Sequence, residues 1–140
     1  MTWRLSSLRK GAEMIDDHKT ILVVDDESHM RRLIEFTLRK GGYTIVVVGN
    51  GREAIAAART SSPDLIILDV LMPEMDGMEA LERLKENEQT ASIPVILLTG
   101  IGQPAARQLV EEKGTATYLA KPFSPSKLLR EVRRKLEPAC

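Results

Sequence analysis

Short apolar runs alternate with amphipathic stretches along most of the chain. Thr20-Ile21-Leu22-Val23-Val24 is β-branched and apolar without a polar break, the pattern of a strand buried on both faces. Met30, Leu33, Ile34, Thr37 and Leu38 then recur at helical spacing, which predicts a helix from Ser28 to Lys40, ended by Gly41-Gly42. Thr44 to Val48 is a second strand. Asn50 is a good N-cap for a helix over Arg52 to Thr60, with Ala54, Ile55 and Ala58 as a narrow apolar stripe. Asp64 to Leu68 is the third strand, and Met78, Leu81 and Leu84 face inward on a helix from about Asp76 to Glu86. Pro94 to Leu98 is the fourth strand, with proline tolerated at its start. A helix from Pro104 to Lys113, a fifth strand from Ala116 to Ala120 and a last helix to Leu136 complete the series. Ser124-Pro125 caps and opens that last helix, and Leu128, Leu129, Val132 and Leu136 form its inner face.

Strict β-α alternation at this length predicts an α/β fold: one doubly wound domain with a five-stranded parallel sheet, helices on both faces and right-handed crossovers. The repeating pattern covers residues 20–137. Residues 1–19 form an N-terminal extension with no steady period, in which Trp3, Leu5 and Leu8 precede Met14 and Ile15, and 138–140 form a tail. No segment is left over for an effector domain.

Composition narrows the function classes. Apolar content of 43% is ordinary for a globular protein, and no run approaches the ~18 apolar residues of a membrane span. The start of the chain lacks the apolar core of a secretion signal. The single cysteine, Cys140, cannot form an internal disulfide, so the cytoplasm is the expected compartment. The formal net charge is zero, yet residues 121–140 are net basic and 20–120 net acidic. A basic last helical turn is what the helix dipole favours, and direct nucleic-acid binding is not expected.

The candidate chemistry sits where strands end. Asp25-Asp26 follow the first strand, Asp69 the third, Thr99 the fourth and Lys121 the fifth. Strand ends of a parallel sheet point the same way, and ligands bind in the crevice outside them. Each residue alone has a plain structural explanation: Asp26 as cap of the first helix, Asp69 as acceptor of turn N–H groups, Lys121 as a surface charge. Together they are harder to explain so, because three carboxylates at one edge repel unless a cation sits among them. The donor set is all oxygen, which suits Mg²⁺, with Mn²⁺ as an alternative. His18 and His29 are too few and too dispersed for zinc. No glycine-rich phosphate loop, nucleophilic serine elbow or Cys/His pair is present. A carboxylate beside Mg²⁺ can attack phosphorus, a lysine can clamp a phosphate oxygen and a threonine hydroxyl can donate to another.

Asp25-Asp26, Asp69 with Met72-Pro73 and Asp76-Gly77, Thr99-Gly100, and Tyr118-Leu119-Ala120-Lys121-Pro122-Phe123 together resemble the receiver domain of two-component response regulators. The resemblance spans about residues 20–137. It implies a flavodoxin-like (βα)5 fold with strand order 2-1-3-4-5, and phosphorylation of Asp69 by a histidine kinase or phosphotransfer protein. It implies Mg²⁺ held by Asp25, Asp26, Asp69 and the backbone carbonyl of Leu71. Thr99 and Tyr118 would be the switch pair and Lys121 the partner of the phosphoryl oxygen. The output partner would bind the face of the fourth helix, fifth strand and last helix, a surface also able to form a homodimer. The implied role is a phosphoacceptor rather than a multiple-turnover enzyme.

Three departures qualify this. Thr115-Ala116-Thr117 stands where many winged-helix regulators carry an acidic pair, and Lys127 replaces a common acidic residue, which weakens the usual charged dimer face. Leu71 and Ile101 occupy positions thought to tune hydrolysis of the phosphoryl group, and neither can hydrogen-bond an attacking water, so slow self-dephosphorylation is expected. Two other readings compete: the receiver portion of a larger regulator with a DNA-binding or enzymatic output, and a haloacid-dehalogenase-like phosphatase. The phosphatase needs an acid two residues after its nucleophile to protonate the leaving group, and Leu71 stands there.

Overall fold

The computed structural model describes residues 18–70, 75, 77–100, 108, 111 and 116–137. The expected helix over 104–113 lies outside the described residues. So do the N-terminal extension up to residue 17, Leu71 to Glu74, Asp76, Ile101 and the tail. Within the described residues the elements are β1 (Thr20–Val24), α1 (Ser28–Lys40), β2 (Thr44–Val48), α2 (Gly51–Ser61), β3 (Leu65–Asp69), α3 (Gly77–Glu86), β4 (Val95–Thr99), β5 (Thr117–Ala120) and α4 (Pro125–Leu136). All strand pairings are parallel, in the order β2-β1-β3-β4-β5. This is the doubly wound parallel sheet expected from the alternating pattern, in the flavodoxin-like strand order that the resemblance implies.

β1, β3 and β4 are buried along almost their whole length because each lies between two helical layers. Their side chains alternate into two separate cores. One holds Leu22, Val24, Ile66, Leu68, Val95 and Leu97 against α2 and α3; the other holds Ile21, Val23, Leu65, Ile67, Ile96 and Leu98 against α1 and α4. Fully burying a Leu or Ile stabilises by about 1.5–3 kcal/mol, whereas an exposed ion pair contributes about 0.2–1 kcal/mol. The surface pairs Arg39–Glu35, Arg83–Glu79 and Arg134–Glu131 are therefore secondary to the two cores.

Local signals from the sequence hold at several element ends. The Asn50 side chain accepts from the Glu53 N–H at 2.8 Å, and the Ser124 Oγ from the Lys127 N–H at 3.1 Å, with Pro125 opening α4. Gly41 caps α1, and Gly42 takes a left-handed φ of 96°. One alternative reading falls away and one expectation needs correction. Glu27, not Asp26, caps α1: its carboxylate accepts from the N–H groups of His29 and Met30 at 2.8 and 2.9 Å. Leu33, expected on the inward stripe of α1, is 40% exposed, because the buried stripe narrows to Ile34, Thr37 and Leu38. β3 and β4 also begin one residue later than expected. Asp64 uses its side chain instead to accept from the Thr20 N–H at 2.8 Å, and Pro94 contributes only its carbonyl, to the Ile66 N–H at 3.0 Å.

The start of α3 fits against the exit of β3 without spare room. The Gly77 N–H donates to the Val70 carbonyl at 2.8 Å. A Cβ at Gly77 would collide with the Asp69 carbonyl oxygen and lie 2.8 Å from the Val70 Cα. Gly77→Ala should therefore force the backbone at the end of β3 to move, at a cost of about 1–3 kcal/mol. A urea unfolding midpoint equal to that of the parent protein would contradict this.

Candidate functional site

The carboxyl ends of β1, β3, β4 and β5 meet at one rim of the sheet, and every sequence-predicted group within the described residues arrives there. β1 runs straight into Asp25, which is fully buried, its N–H bonded to the Val48 carbonyl at 3.2 Å. Asp26 is exposed beside it. Asp69 is the last residue of β3 and is only 4% exposed. One carboxylate oxygen from each of Asp25, Asp26 and Asp69 falls within 4.8 Å of the others. Among the described residues this is the one group of three or more acidic, His or Cys side chains so placed.

Among the described residues one ammonium faces the cluster. Lys121 follows β5, its N–H bonded to the Thr99 carbonyl at 2.7 Å, and its Nζ lies 3.0 Å from Asp69 Oδ1. The Lys121–Pro122 peptide bond is cis, a feature the sequence reading did not anticipate. Thr99 is fully buried at the end of β4. In the β4–β5 register Leu97 lies beside Tyr118, so Thr99 and Tyr118 occupy the same face of the sheet, offset by two residues along it. Tyr118 is half-buried against the α2/α3 core.

The electrostatics of the rim are those of a site with too much negative charge. Burial pushes the Asp25 carboxyl up from 3.8 to about 6; the Glu27 N–H on its Oδ1 at 2.9 Å opposes this, and neighbouring Asp69 and Asp26 add to it while Lys121 offsets them. Among the described residues, two buried side-chain atoms at the rim have no hydrogen-bond partner: Asp25 Oδ2 and Thr99 Oγ1. Buried polar atoms are ordinarily satisfied, so an acceptor and a donor left open on either side of Asp69 mark a place for a ligand. The donor set consists of oxygens alone, and the orphaned Asp25 Oδ2 is part of it. The residues present fit a hard divalent cation.

Leu71 and Ile101 lie outside the described residues, and sequence reasoning missed two groups at the rim. Arg31 Nη1 donates to the Asp25 carbonyl at 3.1 Å, and Glu27 steadies the Asp25 side chain through its N–H. Both follow a strand exit closely in sequence, but nothing in the pattern distinguishes them from the other charged residues of α1.

Residues 21–133 match the model of the response regulator receiver domain. Over 120 residues the chain is 38% identical to the alkaline phosphatase synthesis transcriptional regulatory protein PhoP of Bacillus subtilis, covering 86% of this chain and 48% of that protein. The chain thus spans about half the length of the curated relatives it matches. A crystal structure of a response regulator from Chloroflexus aurantiacus superposes with a TM-score of 0.80 at 34% identity, covering 86% of this chain and 98% of that one. The receiver domain of the sensor histidine kinase PA1611 from Pseudomonas aeruginosa, with a magnesium ion coordinated in its active-site cleft, superposes with a TM-score of 0.77 at 31% identity, covering 85% and 98%. From the parallel sheet, the acidic rim and these relatives together, the chain belongs to the response regulator receiver domain family, whose role is that of a phosphoacceptor in two-component signalling.

Proposed function

We propose that Asp69 is the residue phosphorylated, with a histidine kinase or phosphotransfer protein as donor and Mg²⁺ as cofactor. The observation that carries this reading is the pair of unsatisfied buried atoms flanking Asp69, Asp25 Oδ2 and Thr99 Oγ1. Asp25, Asp26 and Asp69 would hold the metal, joined by the Leu71 backbone carbonyl. An ion held by these oxygens would supply positive charge against the charge developing on the transferring phosphoryl group. An Asp69 carboxylate oxygen attacks phosphorus as the bond to the donor imidazole nitrogen breaks, leaving its electron pair on the imidazole. Lys121, already 3.0 Å from Asp69, transfers its attention to a phosphoryl oxygen, and the Thr99 hydroxyl donates to another. The Mn²⁺ form is an alternative loading of the same oxygens. The protein accepts one phosphoryl group per cycle and is not a multiple-turnover enzyme on outside substrates.

The switch follows from the same contacts. A phosphoryl group adds about −1.5 to −2 charge. Moving a two-state domain from 1:99 to 99:1 takes about 5.5 kcal/mol of differential interaction. One hydroxyl bond and one strengthened lysine pair, at ~1.5–3 kcal/mol each as bonds to a charged group, supply most of it. As Thr99 moves toward the phosphate, Tyr118 turns into the space behind it on the same face. The output surface in this reading is the face of β5 and α4 together with the fourth helix that the sequence predicts, available to a partner or a second copy, in the cytoplasm and without direct contact to nucleic acid or membrane. No helix among the described residues is long and apolar enough to cross a membrane. The receiver as input module of a longer regulator is favoured by one observation: the relatives named as transcriptional regulators are about twice the length matched here.

Acetyl phosphate or beryllofluoride with Mg²⁺ should shift the amide signals of Thr99, Tyr118 and Lys121 in the parent protein. In Asp69→Asn the response should be abolished, and a retained response would place the acceptor elsewhere. Once formed, the phosphoryl group should persist for many minutes or longer in purified protein. Decay within seconds would remove any role for Leu71 and Ile101 in slowing hydrolysis.

The raised Asp25 pKa gives a pH dependence of definite sign. The metal-free fold prefers Asp25 protonated, so the stability due to this group is present below about pH 4 and lost as pH rises through about 6. Mg²⁺ binds the ionised form, so its affinity should fall as pH drops through about 6. Titration calorimetry at a series of pH values checks this, and Asp25→Asn should flatten the profile.

A further inference from the structure

A cavity of about 350 Å³ opens between α2 and α3, and none of the rim residues lines it. Arg52, Ile55, Ala56 and Arg59 form one wall, at the i, i+3, i+4 and i+7 spacing of a single helix face. Glu79 and Arg83 of α3 form the other. Met75 is the buried member of the lining, and its side chain lies 3.1 and 3.2 Å from where a Cβ on Gly51 would stand, against the first turn of α2. A second hollow of about 330 Å³ shares Ala56 and Arg59 and adds Thr60 and Gln89. Binding clefts for small molecules run from about 300 to 1,000 Å³, so the size suits a compact ligand.

Three guanidiniums meet one carboxylate here, an excess of two positive charges. Arg83 is paired with Glu79 at 3.1 Å, and Arg59 Nε donates to Gln89 Oε1 at 3.3 Å. Among the described residues neither Arg52 nor Arg59 has a carboxylate partner. Glu53, next to Arg52 in sequence, is engaged elsewhere: it accepts from the Gly49 N–H at 3.2 Å. The helix dipole accounts for Arg59 in the last turn of α2, but not for Arg52, a cation in the first turn at the positive end of the helix. An anion beside Arg52 would satisfy both the guanidinium and that helix end. A phosphate monoester, at about −1.5 to −2 at pH 7, matches the excess charge. Guanidinium groups take phosphate oxygens in pairs and also stack on aromatic faces.

We propose that this cavity binds a nucleoside monophosphate, with the phosphate between Arg52 and Arg83 and the base lying on Arg59, its edge toward the Gln89 amide. Ile55 and Met75 give the sugar and ring an apolar backing. The ligand is bound and not transformed. The site shares no residue with the rim and is independent of the phosphorylation reading. An acidic peptide matches the sign of the charge, but its carboxylates carry one charge each and offer no planar face to Arg59.

The test titrates the isotope-labelled full chain with AMP, adenosine, inorganic phosphate and a polyglutamate peptide in Mg²⁺-free buffer. AMP should give saturable shifts in the amides of Arg52 to Thr60 and of Glu79 to Arg83. It should bind about tenfold or more tightly than adenosine or inorganic phosphate, each of which lacks one half of the contacts. Arg52→Gln, at an exposed position, should weaken AMP by about tenfold, the loss of one charge-assisted contact. Arg52→Lys keeps the charge without the fork and should fall between the parent and Arg52→Gln. The absence of saturable shifts with AMP would overturn the proposal, as would shifts that gather at Asp25, Asp69 and Lys121. So would inorganic phosphate binding as tightly as AMP, the peptide binding more tightly, or an AMP affinity unchanged in Arg52→Gln.

Discussion

The balance of charge at the sheet rim is the constraint on which the rest depends. Asp25, Asp26 and Asp69 are brought within 4.8 Å of one another, and one ammonium, Lys121, stands 3.0 Å from Asp69. Burial raises the Asp25 pKa, and the neighbouring Asp69 and Asp26 add to the rise while Lys121 offsets part of it. Such a cluster is tolerable only if the backbone under it cannot relax away. β1 and β3 provide that rigidity: their side chains are buried on both faces, so neither strand can move without opening a core. Gly77 adds to it by fitting the first turn of α3 directly against the carbonyl of Asp69.

Much of this was legible from the order of residues. Four apolar residues running into Asp69 identify a central strand, and the same reading places Asp25, Thr99 and Lys121 at strand exits. Because all strands of a parallel sheet exit on one side, the sequence alone assigns residues separated by 44 and 52 positions to one rim. The assignment needed only the element types and not their packing angles, which is why it survived small errors in strand ends.

What was illegible depends on neighbours in space. Leu33 satisfies the helical spacing of α1, yet α4 covers only the side of α1 that carries Ile34 and Leu38. Asp26 stands close enough to the start of α1 to cap it, yet Glu27 does so. The longer Glu27 side chain reaches two N–H groups at once, which leaves Asp26 at the carboxylate cluster. Lys85 is a helix-surface lysine by pattern, but its Nζ ties the Ala91 and Ile93 carbonyls at 3.0 and 2.8 Å, and burial lowers its pKa. Each case turns on a distance between elements that periodicity does not encode.

The two cores never mix, since the sheet is a continuous partition between them. Side-chain parity places Asp69 on the side shared with Leu65 and Ile67, and Thr99 on the side shared with Val95 and Leu97. The rim is thus the one edge of the partition where groups from both compartments reach a common point. A load applied there is divided between two mechanically separate layers, α1 with α4 on one side and α2 with α3 on the other. Repacking around Val95 and Leu97 therefore bears first on Thr99, and repacking around Leu65 and Ile67 first on Asp69, so the two halves of the rim answer to different cores.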